Sequence, residues 1–232
     1  LTLNKIDVLD NGYVRLVDVM GSDLTVANAA RVSYAKESAE LTDRDRSLIA
    51  FLAREGHSSP FRHAIAQIEV YAPLMVARQW WKYVVGSDHT MDAWNESSRR
   101  YVTEEPVFYL PAADEWRSAP ENSKQGSGAV VDSVLGEDIT YNLMKHIEAS
   151  EELYNIALEC GICAEQARLF LPAYGMYVRW YWTASLQSIA HFLAQRLEHD
   201  AQAEIQSYAK AILTLIKAKF PVAISELLKT KE

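Results

Sequence analysis

Residues 78–101 constrain this chain more than any other stretch. They read Arg78-Gln79-Trp80-Trp81-Lys82-Tyr83-Val84-Val85-Gly86-Ser87-Asp88-His89-Thr90-Met91-Asp92-Ala93-Trp94-Asn95-Glu96-Ser97-Ser98-Arg99-Arg100-Tyr101. Cations stand at both ends, hydroxyls and acids lie between them, and tryptophans are interleaved. A helix core has no need of this mixture, whereas a pocket for an anionic, flat ligand does. Arginine forks match phosphate oxygens bidentately, serine hydroxyls complete such a cradle, and indole faces stack on a flat ring. Glu96 repels a bare phosphate and so points to a ligand that also carries N–H or hydroxyl donors, such as a nucleobase or a ribose. The same residues also fit a solvated basic helix end with Trp80 and Trp81 in the core. Residue types alone leave both readings open.

The flanking segments supply a mixed set of elements. Residues 13–20 alternate in part between apolar and polar and predict a strand. Gly21-Ser22-Asp23 is a turn ending in an N-cap, and a helix is expected over 24–32. Thr42 with Asp45 three residues on fits the cap and acidic first turn of a helix over 42–55. Leu48, Ile49, Phe51 and Leu52 are its expected buried side, and Gly56 its stop. Residues 64–71 read as a strand. Pro73 suits the first turn of the next helix, on which Arg78 and Lys82, four apart, share a face. Residues 117–128 read as a surface loop. A long helix is expected over 137–160, with Ile139, Leu143, Ile147, Leu153 and Ile156 as its apolar side. The last helices run to about Leu228. No repeat or linker divides the chain, so a single domain over residues 1–232 is expected.

Several motifs carry a resemblance to a known family. Ala77-Arg78-Gln79-Trp80-Trp81, followed by Asn95-Glu96-Ser97-Ser98-Arg99-Arg100-Tyr101, resembles the signature of the flavin-dependent thymidylate synthases. Gly56-His57-Ser58-Ser59-Pro60-Phe61-Arg62-His63 is similar to that family's Gly-His segment. Ala164-Glu165-Gln166-Ala167-Arg168-Leu169-Phe170-Leu171-Pro172 and the run from Phe192 through Arg196 to Gln206 are further matches. The chain departs from the pattern where the family usually carries Arg-His-Arg. Here stand Lys82, Tyr83 and Val84, and the connection from Val84 to Asn95 is longer than usual.

The resemblance implies an α+β fold, with mixed helices around a small central sheet. It implies reductive methylation of dUMP to dTMP, with methylenetetrahydrofolate as carbon donor, reduced FAD as hydride source and NADPH as reductant. By the same resemblance dUMP is held by Arg78, Gln79, Trp80, Trp81, Lys82, Glu96, Ser97, Ser98, Arg99, Arg100, Arg168 and Arg196. FAD is held by Ser33, Ser59, Lys82, Tyr83, Val84, Asn95, Glu96, Ser185, Leu186, Gln187 and His191, and His57 lines the folate and flavin face. Arg196 is the catalytic group: a permanently protonated guanidinium polarises the uracil edge and raises electron density at C5 without a cysteine nucleophile. Lys82 substitutes a point charge for a guanidinium fork, Tyr83 offers a ring and one hydroxyl, and Val84 offers no polar contact. The family's sites are shared between subunits of a homotetramer, with Arg168 reaching the nucleotide of a neighbour.

Composition bounds the rest. The net charge of −8 argues against bulk nucleic-acid binding. No apolar run approaches a membrane span. No secretory signal opens the sequence at Leu1, and a cytoplasmic setting is expected. Cys160 and Cys163 form a lone Cys-x-x-Cys without a second pair, read as structural, and no metal is expected. Two other activities compete. His57, His63 and His199-Asp200 suggest a metal-dependent nucleotide phosphohydrolase, although no aspartate follows Asp200. A related flavin- and folate-dependent C5 modification of a pyrimidine nucleotide is the other.

Overall fold

In the computed structural model the described residues are 4–85, 92–98, 105–121 and 126–229. In chain order they form β1 (Lys5–Val8), β2 (Gly12–Met20), α1 (Asp23–Arg31), α2 (Asp43–Arg54), β3 (Ile65–Pro73), α3 (Leu74–Val85), β4 (Ala93–Glu96), α4 (Ser133–Glu159), α5 (Ala164–Ala167), β5 (Tyr177–Ser185), α6 (Leu186–Arg196), α7 (Ala203–Lys217) and α8 (Ala223–Lys229). Among the described residues the strands make one sheet in the order β1-β2-β3-β5-β4, every neighbouring pair antiparallel. The fold is α+β, as the sequence predicts.

Strand alternation sets the two faces of the sheet. Val14, Leu16, Ala66, Ile68, Val70, Ala72, Trp180 and Trp182 are buried on the helix-covered face. The opposite face carries Tyr13, Arg15, Glu69, Tyr71, Arg179 and Tyr181. There Glu69 is buried among cations: it accepts from the Tyr13 hydroxyl at 2.9 Å and pairs with Arg15 and Arg179. Helices α3, α6 and α7 close the apolar face. The centre of the core is aromatic: Trp80 stacks on Phe192 with ring centres 4.4 Å apart and meets Trp180 and Trp182 edge-on. Burying a large apolar side chain in this way contributes about 1.5–3 kcal/mol. A second cluster, with Phe108, Ile147, Tyr154, Ala157 and Leu171, lies under α4.

Local chemistry explains most boundaries. Thr42 caps α2 as expected, its hydroxyl accepting from the Asp45 amide, and Gly56 leaves the helix with φ +70°. Ser22, not Asp23, is the N-cap of α1. The buried Asp23 carboxylate instead accepts the Val222 and Ala223 amides at 2.9 Å each, at the start of α8. Pro73 ends β3 opposite Tyr177, and the helix begins one residue later than expected.

Three expectations are corrected. Phe51 is exposed, and Ala53 takes its buried place on α2. On α4, which starts at Ser133, Ile139, Leu153 and Ile156 are exposed while Tyr154 and Ala157 are buried. Arg117 is not a free surface residue: within its irregular stretch it bridges to Val130, and its side chain pairs with the buried Glu204. The matched run from Phe192 to Gln206 spans two helices, since α6 ends at Arg196 and α7 starts at Ala203. Strands β1 and β4 carry no alternation long enough to be read from sequence, and β4 exists because β5 offers it an edge.

Candidate active site

Helix α3 leaves the end of β3 and presents Met75, Gln79 and Tyr83, spaced by four, along one face. Gln79 donates its side-chain amide to Gln202, just before α7, and Gln202 donates to the Met75 sulfur at 3.5 Å. One turn further on, the Tyr83 ring lies 5.0 Å from the Arg196 guanidinium carbon and 5.6 Å from the His191 ring. Arg196 is the last residue of α6. Its Nε is buried and has no hydrogen-bond partner among the described residues. Burial raises the Tyr83 hydroxyl pKa, and the Arg196 charge and a side-chain hydrogen bond with Arg196 oppose that shift. Trp80 is fully buried in the core and offers no surface to a ligand, a correction that follows from its apolar neighbours; Trp81 is exposed. Arg78 and Lys82 are exposed.

Strand β4 adds the acid. Trp94 stacks on Trp180, and its indole N–H donates to Glu96 at 3.2 Å. Burial raises the Glu96 pKa above the ordinary carboxylate value, with the Trp94 hydrogen bond and the Arg78 charge opposing. Arg78 of α3 and Glu96 of β4 are thus close enough to act on each other. Ser97 continues the ladder: its amide donates to the Arg179 carbonyl at 2.8 Å, and its hydroxyl accepts the Arg179 amide at 3.1 Å. Asn95 is exposed and Ser98 half-buried. Arg99 and Arg100 lie outside the described residues, as does the side chain of Val84.

His191 also lines a cavity of about 150 Å³, together with His57, Ser58, Phe61, Gln187 and Ala190 among others. Gln187 Oε1 is buried there without a partner among the described residues. Ser185 and Leu186 do not line it. Ser185 is buried and caps α6 by accepting the Ser188 amide at 3.2 Å, and the Leu186 side chain belongs to the core. Ser33 and Ser59 are exposed on 3-10 turns that follow α1 and precede β3. Arg168 stands apart from this cluster, exposed beside α4, with its Nε donating to the Glu165 carbonyl at 3.2 Å. Cys160 and Cys163 are exposed at the turn between α4 and α5.

Sequence reasoning missed a larger cavity of about 480 Å³, lined by Met75, Tyr109, Trp116, Arg117, Gln202 and Glu204 among others. Its one legible signal was Gln202 two residues before Glu204, within a run already singled out. The Arg117–Glu204 pairing joins positions far apart in the chain. Among the described residues no group of three or more His, Cys, Asp or Glu side chains is arranged to hold a metal ion.

An α+β chain with a cation and an acid in mutual reach, and with a guanidinium whose buried Nε has no partner among the described residues, has the outline of a nucleotide-modifying enzyme. The solved structure of a UMP/dUMP methylase, PolB from Streptomyces cacaoi bound with 5-Br dUMP, shares the fold with a TM-score of 0.82 and 29% identity, covering 97% of each chain. The same enzyme bound with 5-Br UMP matches equally well, at 27% identity. The family described as thymidylate synthase complementing protein matches residues 15–222. Among curated relatives, the flavin-dependent thymidylate synthase of Thermosipho africanus is 38% identical over 222 residues, 96% of this chain and 93% of the relative. That of Thermus thermophilus is 39% identical over 219 residues, 94% of this chain and 76% of the relative. The chain belongs to the flavin-dependent thymidylate synthase family of enzymes.

Proposed function

We propose that this enzyme methylates C5 of dUMP reductively, forming dTMP, and that it acts as one domain within a homotetramer. The observation that carries the reading is Arg196, held at the end of α6 beside Tyr83 with a buried Nε that has no partner among the described residues. A guanidinium with spare donors stabilises charge developing on the uracil N3/C4 edge, and that charge makes C5 nucleophilic. Arg78 and Lys82 supply positive charge for the monophosphate, and Glu96 accepts from ligand donors. Gln79, fixed by Gln202, orients the nucleotide alongside them.

The residues fit a flavin. Gln187 Oε1 is a buried acceptor with no partner among the described residues, on a cavity wall shared with His57 and His191. This suits an N–H-bearing ring edge, and Lys82 suits a flavin phosphate. When bound, reduced FAD supplies the hydride that converts the methylene of methylenetetrahydrofolate into the new methyl group, with NADPH restoring the flavin. This chain's part is to bind, orient and keep water from the rings.

Helix α4 supports subunit association. Leu135, Ile139, Leu153 and Ile156 are exposed along it, and Leu169 and Phe170 are exposed beside Arg168. An apolar face of this kind marks an interface, and association there would carry Arg168 into a neighbour's nucleotide site. No described helix is long and apolar enough to cross a membrane, in keeping with a proposed cytoplasmic setting.

The absorbance spectrum of the native protein, titrated with dUMP, tests the assignment. A flavin band that shifts with nucleotide is expected, whereas a colourless protein that ignores dUMP would end the reading. A second reading, methylation of UMP, is favoured by the solved relative from Streptomyces cacaoi, a methylase of both UMP and dUMP. Turnover of dUMP and UMP assayed side by side separates the two.

A further inference from the structure

Tyr83 meets three side chains of one neighbouring helix. On α6, Phe192 and Arg196 are four residues apart and share a face, with His191 beside them. The Tyr83 ring stands edge-on to Phe192, with centres 5.4 Å apart and planes at 89°, and it carries the Arg196 guanidinium over its face at 5.0 Å. Phe192 is itself fully buried and stacked on Trp80. An unbroken line of aromatic contact therefore runs from the rigid core to a guanidinium at a helix end. A long arginine stem at such a position has many rotamers available. Among the described residues no carboxylate is paired with Arg196 to select one of them.

We propose that Tyr83 is the positioning residue for Arg196, holding the guanidinium in one orientation by cation–π contact while leaving its charge whole. The proposal rests on the reading above, in which Arg196 stabilises negative charge on the pyrimidine. A carboxylate would orient the guanidinium equally well but would neutralise the charge the reaction needs. An aromatic face orients a cation without supplying a counter-charge. Tyrosine is uncharged at neutral pH, since its ordinary pKa is about 10. Packing and electrostatics then serve the same end: the core fixes Phe192, Phe192 fixes Tyr83, and Tyr83 fixes the guanidinium.

The test is a double-mutant cycle read on kcat and on KM for dUMP, with flavin content and melting temperature measured for every variant. Tyr83→Phe keeps the ring and should retain at least about threefold more kcat than Tyr83→Leu. Tyr83→Leu removes the face and should lower kcat about tenfold while KM for dUMP moves by less than about twofold. In an Arg196→Ala background, Tyr83→Leu should cost nothing further, because there is no guanidinium left to hold. An equal loss in both backgrounds would mark a general packing role and overturn the proposal, as would a normal kcat for Tyr83→Leu. Should Tyr83→Leu fail to fold, Tyr83→His carries the test. Its imidazole gains charge as pH falls through about 6.5 and then repels Arg196, so kcat should acquire an acid limb that disappears with Arg196→Gln. A pH profile unchanged from wild type overturns the proposal. Wild-type enzyme that leaves dUMP and UMP unmodified would instead sink the functional reading, and this inference with it.

Discussion

The indole of Trp94 lies flat against that of Trp180, with ring centres 4.8 Å apart and planes at 19°. The same indole donates to Glu96. The stack thus ties the short edge strand β4 to the core through one side chain and aims the acid with the other end of that ring. Trp94→Ala should leave β5 and the core intact while weakening dUMP binding by about tenfold, since stacked aromatics contribute about 0.5–1.5 kcal/mol beyond area burial. Calorimetric titration with dUMP checks this, and unchanged affinity would show that Glu96 needs no such support.

The raised pKa of Glu96 gives a pH dependence with a definite sign. The group takes up its proton at higher pH than an ordinary glutamate. As an acceptor for ligand donors it must be ionised, so affinity for dUMP should fall as pH drops through the raised value. Glu96→Gln should bind more weakly at neutral pH and lose that acid-side decline. Binding isotherms across the acid range for both proteins decide the matter.

Arg196→Ala should retain the fold, because the residue ends its helix and its Nε makes no internal hydrogen bond among the described residues. Turnover should drop about 100- to 1,000-fold, the scale of losing one preorganised charge-stabilising donor. Circular dichroism alongside a tritium-release assay at C5 would check both halves. Near-normal turnover would remove Arg196 from the chemistry.

Asp45 is the acid-sensitive joint between α1 and α2. Its carboxylate is fully buried, accepts from the Thr42 hydroxyl and amide, the Arg31 guanidinium and the Ser38 hydroxyl, and is held well below the usual aspartate range chiefly by the Thr42 hydroxyl. A lowered folded-state pKa means the stabilisation is complete above about pH 4, the ordinary aspartate value, and is lost as pH falls from there toward the folded value. Asp45→Asn should cost about 2 kcal/mol or more at neutral pH, leaving Arg31 without its counter-charge. It should also flatten the acid side of the stability curve. Urea unfolding at several pH values would reveal both effects.

Gly12 is required by a close approach rather than by its backbone angles. A Cβ there would meet the Tyr208 hydroxyl and stand 2.7 Å from the carbonyls of Val8 and Tyr71. Tyr208 is fully buried and donates to the Tyr71 carbonyl at 2.9 Å. Gly12→Ala should therefore destabilise by about 1–3 kcal/mol through overpacking, read as a lower melting temperature.

The sequence alone determined whatever is encoded within a few residues or within one motif. The alternation that makes β2, the Thr42 cap, the Gly56 stop and the i, i+4 face of α3 follow from local chemistry, and the matching motifs were enough to identify the family. Tertiary structure alone decided which of those residues a ligand can reach. Trp80, Ser185 and Leu186 sit in motif positions, yet the packing of α3 and α6 on the sheet takes their side chains into the core. The exposure of Ile139, Leu153 and Ile156 was equally beyond periodicity, because an apolar stripe does not say whether its cover is the same chain or another. The meeting of Tyr83 with Arg196, of Gln79 with Gln202 and of Arg117 with Glu204 joins positions far apart in the chain. No local preference encodes such contacts: they exist because the strand order brings α3 alongside α6 and α7, and burial then fixes which side chains are left facing the cavities.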